Sequence, residues 1–154
     1  MTLEIKKNAA FKEIKEFHQL SDEQIQNLED FVTLLLQENQ QFNFIGKSTI
    51  EDIWNRHIVD SAQLLRFIDD KNVKFADFGT GAGFPGIVLS ILGLKEMHLV
   101  EKAFRKCDFL RKAKSTSKNR IFIHQSKLEE INDIKFDCIT SRALAPLDKL
   151  LAHS

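Results

Sequence analysis

Asp77-Phe78-Gly79-Thr80-Gly81-Ala82-Gly83-Phe84-Pro85-Gly86 decides how this chain folds. The stretch follows a short apolar run, Val73, Phe75 and Ala76, that reads as a strand, and Pro85 then opens a predicted helix over 84–92. Glycine tolerates positive φ and presents no Cβ, so a backbone rich in it bends sharply and admits a ligand closely. Strand, glycine turn and helix N-terminus in that order build the adenosine-cofactor crevice of doubly wound α/β folds.

The pattern on the C-terminal side agrees. Short apolar runs at 73–78, 97–101, 121–124 and 136–140 alternate with predicted helices at 84–92 and 103–116, a turn near 127–131 and a helix from about Leu147. Such alternation implies right-handed βαβ crossovers and a parallel sheet. On the N-terminal side, residues 1–70 read as helical. Ser21 with Gln24 forms a capping box, and Leu28, Phe31, Val32, Leu35 and Leu36 follow at helical spacing to about Gln40. Residues 39–48 have loop composition, and a second helix is predicted over 49–68 with Ile50, Ile53, Trp54, Ile58, Ala62, Leu65 and Ile68 on one stripe. The expected organisation is a helical cap over 1–70 and an α/β core over 71–154, joined at Asp69-Asp70-Lys71-Asn72.

At 154 residues with 43% hydrophobic and 29% charged side chains, the chain has the composition of one soluble globular unit with a small appendage. The longest apolar run, Ile87 to Leu94, is far too short for a membrane span. No apolar segment near the N-terminus resembles a secretory signal. Cys107 and Cys138 lack the spacing of a zinc site or a disulfide framework, so no metal and a reducing cytoplasm are expected.

A formal net charge of zero conceals an asymmetry. Residues 1–70 carry 13 acidic and 7 basic side chains, whereas residues 71–154 carry 9 acidic and 15 basic. Lys102, Arg105, Lys106, Arg111, Lys112, Lys114, Lys118 and Arg120 concentrate that basic excess. Such a run either meets nucleic-acid phosphates or forms a solvated helix face.

Gly81-Ala82-Gly83-Phe84-Pro85-Gly86 satisfies G-x-G-x-x-G, with Glu101 twenty residues after Gly81 at the end of the next predicted strand. An acid there reaches the ribose hydroxyls of a bound adenosine, in a dinucleotide or in S-adenosylmethionine. Two details lean toward the second. Asp77 places a carboxylate where a cationic amino-acid tail would lie, and Gly79-Thr80 ahead of Gly81 widens the loop beyond what a pyrophosphate needs. Close helix–strand packing would explain Gly83 and Gly86 with either ligand.

Further segments add to these: Arg56-His57-x-x-Asp60-Ser61, then H-L-V-E-K-A-F-R-K-C-D-F-L-R at 98–111, S-K-L-E-E at 126–130 and S-R-A-L-A-P-L at 141–147. With the glycine run, and in this order, they resemble the bacterial 16S ribosomal RNA guanine-N7 methyltransferases, also called glucose-inhibited division protein B. The resemblance begins near residue 20 and continues to the C-terminus. It implies a Rossmann-like class I methyltransferase core behind an N-terminal helical cap, S-adenosylmethionine as methyl donor, and a guanine of the small ribosomal subunit (30S) as acceptor. By position it implies cofactor contacts at Gly79, Gly81, Gly83, Phe84, Glu101, Leu128, Glu129 and Arg142, to which the reading of the loop adds Asp77. It likewise implies RNA contacts at Arg56 and His57, joined by Lys102, Arg105 and Lys106 of the basic run. No general base is expected, because guanine N7 attacks through a lone pair without losing a proton. The expected enzyme is a cytoplasmic monomer.

The resembled core has seven strands, and this chain reaches Ser154 just after a fourth. A fragment, a truncated product or a poorly active chain is therefore expected, with a parallel sheet incomplete at its C-terminal end, an incomplete acceptor pocket and an uncovered strand edge at 136–140. The competing readings are a nicotinamide-dinucleotide-binding oxidoreductase fragment, favoured only by G-x-G-x-x-G, and a non-catalytic RNA-binding remnant.

Overall fold

The computed structural model describes residues 1–141, so Arg142 and the helix expected from Leu147 lie outside the described residues. Four parallel strands form one sheet in the order β3-β2-β1-β4: β1 Lys74–Phe78, β2 Glu96–Glu101, β3 Arg120–Gln125 and β4 Cys138–Ser141. Every strand lies within two residues of its expected span. Chain reversal between β3 and β4 across β1 is the doubly wound arrangement, and it creates a crevice at the C-terminal strand ends.

Helices α1 Leu3–Ile14 and α2 Asp22–Phe42 open the chain. Both start on hydroxyl caps. Thr2 accepts the Ile5 N–H at 3.3 Å, and the expected capping box joins Ser21 to Gln24 in both directions at 3.1 Å. Helix α2 ends on Asn43 in the left-handed conformation, φ 50°. Buried Asn39 then holds the following turn by exchanging two hydrogen bonds with the backbone of Ile45, at 2.8 and 3.1 Å.

The continuous helix expected over 49–68 is broken. It comprises α3 Lys47–Ile50, a π-helical turn Trp54–Val59, α4 Asp60–Ala62 and a 3₁₀ turn Gln63–Phe67. The apolar stripe survives the interruption, because Ile53, Trp54, Ile58, Ala62 and Leu65 all remain buried. Widening to π geometry changes the angular step between Trp54 and Val59 and re-aims Arg56 and His57.

Helix α5 Gly86–Ile91 and α6 Phe104–Ala113 cover one sheet face. Their apolar sides join Phe31, Leu35, Trp54, Met97 and Leu99 in one core shared by the helical segment and the sheet. Phe31 links the two, with ring centroids 5.4 Å from Phe84 and 6.3 Å from Phe109. A smaller cluster of Ala76, Phe78, Val100, Leu128, Ile131 and Phe136 lies on the other sheet face.

Candidate functional site

The glycine stretch leaves β1 by crossing toward β2: the Gly79 and Thr80 N–H groups both donate to the Val100 carbonyl, at 2.8 and 3.2 Å. Asp77 is fully buried beneath the loop. Its Oδ2 accepts from Thr80 Oγ1 at 2.6 Å and from the Gly86 N–H at 2.9 Å, bracing the loop between strand and helix. The carboxylate expected to face a cationic tail thus ties the loop together from inside.

Two glycines differ in what they do. A Cβ on Gly86 would collide with Leu99 Cδ2 and stand 2.9 Å from Asp77 Oδ2, so this glycine permits α5 to press against the sheet. Gly81 has φ +58°, and a Cβ there would meet nothing within 4 Å. Space lies open in front of Gly81. That is the property a ligand-approach position requires.

Glu101, only 8% exposed at the end of β2, faces the same loop. Its Oε2 accepts the Gly81 N–H at 3.1 Å, while Oε1 accepts the Ala103 N–H at 3.1 Å. A carboxylate offers about four lone-pair sites, so two remain for sugar hydroxyls. Gly79, Glu101, Lys102, Ser126, Leu128 and Glu129 line a cavity of about 220 Å³ on this side. Leu128 is at once part of the small core cluster and of this wall, whereas Glu129 is exposed at the rim.

A second cavity, of about 260 Å³, opens on the other side of Gly79. Thr80, Gly81, Ala82 and Phe84 form its loop wall, and Phe44, Ile45, Thr49 and His57 form its wall from the helical segment. The His57 ring stacks on Phe84 with centroids 4.5 Å apart and planes 21° apart, and both ring nitrogens are shielded from solvent. Buried Phe84 is thereby held between His57 and Phe31. Arg56, the other member of the pair, points outward beside Asp52 at 3.8 Å. Of the residues expected to hold cofactor, Gly79, Glu101, Leu128 and Glu129 line the first cavity and Gly79, Gly81 and Phe84 the second, whereas Asp77 lies buried beneath the loop and Gly83, where a Cβ would run into Ile87, packs against α5.

The basic run divides. Lys112 pairs with Glu38 and Lys118 with Glu23, each at 3.1 Å, so two cations of the C-terminal half meet acids of α2. The Glu38 carboxylate raises the Lys112 pKa, chiefly through the hydrogen bond. Arg120 pairs with Glu96 at 2.8 Å, and Arg111 donates to Gln125 at 2.9 Å. Lys102, on the wall of the first cavity, and Arg105, in the first turn of α6, stay exposed, and Lys106 is half-buried. Part of the charge asymmetry is therefore contact between the two halves of the chain.

Sequence reasoning missed Thr80, Phe44, Ile45 and Thr49. Thr80, three residues after Asp77, carried the readable signal of a hydroxyl bonding back to a buried acid. The aromatic and aliphatic wall gave none, since apolar residues in a loop read as ordinary core.

The family model described as rRNA small subunit methyltransferase G, GidB, matches residues 24–154. The chain belongs to this family. It is 42% identical over 132 residues to the ribosomal RNA small subunit methyltransferase G of Rhodospirillum rubrum, covering 86% of this chain and 66% of that protein. The enzyme of the same name from Paramagnetospirillum magneticum is 38% identical over 132 residues, covering 86% of this chain and 64% of that protein. That of Rickettsia akari is 42% identical over 134 residues, covering 86% and 69%. The chain spans about two thirds of the length of these curated relatives. Both walls of the crevice fall inside the stretch matched to the GidB family. Among the described residues no helix is long and apolar enough to cross a membrane, and no cluster of three or more His, Cys, Asp or Glu side chains is placed to hold a metal.

Proposed function

We propose that this chain transfers a methyl group from S-adenosylmethionine to N7 of a guanine in the 16S ribosomal RNA of the small subunit. The observation that carries the reading is the open space in front of Gly81 beside the Glu101 carboxylate, in a chain matched to the GidB family. The chemistry of the two cavities fits the cofactor: in the first a carboxylate for the sugar and the apolar flank of Leu128 for the adenine, and between them side-chain-free backbone at Gly79, with Gly81 in the second. When bound, the sulfonium supplies an activated methyl group.

The rest is the work of this chain's own residues. Glu101 and the braced glycine loop fix the donor's sugar, with Glu129 at the cavity rim and Arg142 closing the site in this reading. Asp77 and Thr80 keep the loop from rearranging. His57 and Phe84 wall the second cavity against water. The acceptor nitrogen needs no base, so in-line placement and exclusion of solvent are the chemical demands on the protein. The target base is turned out of its loop to enter, with Arg56, Lys102, Arg105 and Lys106 meeting phosphates around it.

A methyl-transfer assay with labelled S-adenosylmethionine on 30S particles and on deproteinised rRNA tests this. Label at a single guanine, located by chain scission specific for N7-methylguanine, is the expected result, and an Arg142→Ala variant should lose it. No transfer to either substrate, or label on another atom, overturns the reading.

A further inference from the structure

Two phenylalanines stand far out of the surface, Phe67 at 82% and Phe104 at 66% exposure. Their surroundings differ in charge. Phe67 is followed by Asp69 and Asp70, and the neighbouring Arg66 is turned onto the Phe17 ring at 4.4 Å. Phe104 is the first residue of α6 and sits within Lys102-Ala103-Phe104-Arg105-Lys106. Phe104 is three positions after Glu101, so at most about 11 Å of backbone joins it to the residue whose carboxylate faces the sugar.

The next residue, Arg105, begins a row of half-buried rings that reaches the crevice. The Arg105 guanidinium lies 4.8 Å over the Phe42 ring, Phe42 neighbours Phe44 at 5.6 Å, and Phe44 lines the second cavity. Cations interleaved with exposed ring faces are the means by which proteins hold unpaired nucleotides: phosphates meet the charges and bases stack on the rings. A second copy of this chain would bring its own cations to the same cluster. A polyanion suits it.

We propose that Phe104, flanked by Lys102 and Arg105, is a stacking platform for an unpaired RNA base next to the target nucleotide, holding the splayed strand at the crevice mouth. It is a positioning residue and takes no part in the chemistry. The proposal rests on the reading of the chain as an RNA-modifying enzyme.

Binding of labelled short oligoadenylate and of a duplex of the same length is measured for the wild-type chain and for Phe104→Ala, Phe104→Leu, Phe104→Trp and Phe67→Ala. Phe104→Ala and Phe104→Leu are expected to weaken single-strand binding about tenfold, and Phe104→Trp to restore it, with tryptophan fluorescence quenched on binding. The salt dependence should stay unchanged, because no charge is removed. Phe67→Ala and duplex binding should not change. Calorimetric binding of S-adenosylhomocysteine should be the same in Phe104→Ala as in the wild type. Wild-type affinity in Phe104→Leu overturns the proposal, as does the absence of single-strand binding in the wild type. It is equally overturned by loss of S-adenosylhomocysteine binding in Phe104→Ala, or by a dimer that Phe104→Ala dissolves. Stacking without methyl transfer would leave the platform standing and remove the catalytic reading alone.

Discussion

The carboxylate of Glu101 accepts the backbone N–H of Gly81 at 3.1 Å, joining the end of β2 to the turn that leaves β1. The same carboxylate holds the Ala103 N–H one residue before α6. Glu101 therefore shapes the crevice as well as facing its contents. Glu101→Ala leaves both N–H groups without their side-chain partner and should cost about 1–3 kcal/mol of stability. Glu101→Gln keeps one acceptor oxygen, so most of that stability should return. Its affinity for S-adenosylhomocysteine should still fall at least tenfold, because the sugar loses a charged acceptor. Urea denaturation and calorimetric titration separate the two effects, and unchanged affinity in Glu101→Gln would remove Glu101 from the cofactor site.

Gly81 and Gly86 should fail differently. In Gly86→Ala the new methyl group meets Leu99 and Asp77, and overpacking of this kind costs about 1–3 kcal/mol whether or not ligand is present. In Gly81→Ala the methyl group enters open space at a cost of about 1–2 kcal/mol for the left-handed backbone, but it occupies the approach to the loop. The thermal upshift given by S-adenosylhomocysteine should persist in the folded Gly86→Ala protein and vanish in Gly81→Ala. Equal upshifts in both would contradict the ligand-approach role of Gly81.

These elements also mark what the sequence could disclose. The capping box at Ser21, the strand alternation and the Gly81-to-Glu101 spacing are local patterns, and local hydrogen bonding or packing follows from them directly. The helix expected over 49–68 has the right apolar stripe and the wrong continuity. Burial of Ile53, Trp54 and Ile58 is compatible with α or π geometry, so periodicity alone could not detect the wider turn at Trp54–Val59. The Glu38–Lys112 pair lies 74 residues apart, and the His57–Phe84 stack joins two segments across the crevice. Such contacts depend on how α2 and the π turn dock, which composition does not encode. The charge asymmetry was visible, yet its division into pairs between the halves and cations at the α6 start needed the fold.

That division can be measured. Lys112 and Lys118 already have carboxylate partners, whereas Lys102 stands exposed by the crevice and Lys106 lies on the first turn of α6. Replacing Lys102 or Lys106 by alanine should lower the slope of log affinity for rRNA against log salt by about 1 each. Lys112→Ala and Lys118→Ala should leave the slope as it is. Four equal slopes would mean that the whole run acts as one phosphate-binding face.

Acid should weaken the protein before its carboxylates titrate. Burial lowers the pKa of His124, with the nearby His98 adding to it, and burial likewise lowers that of His18, assisted by Lys71. His124 Nε2 lies 2.9 Å from His98 Nδ1, whose other nitrogen faces Glu96 at 2.9 Å, and Arg120 holds the far oxygen of that glutamate. Between the depressed native values and the ordinary histidine value near 6.5, the unfolded chain binds protons that the native chain refuses. Stability contributed by these neutral rings is complete above about pH 6.5 and falls as the pH drops below it. Glu96 works in a lower window: its pKa is depressed, first by the hydrogen bond with His98, so its contribution is lost only below the ordinary glutamate range near 4.3. Urea midpoints should accordingly be lower at pH 5.5 than at pH 7.5. His124→Gln and His18→Gln should each reduce that difference, and an undiminished difference in the double variant would assign the acid sensitivity to other groups.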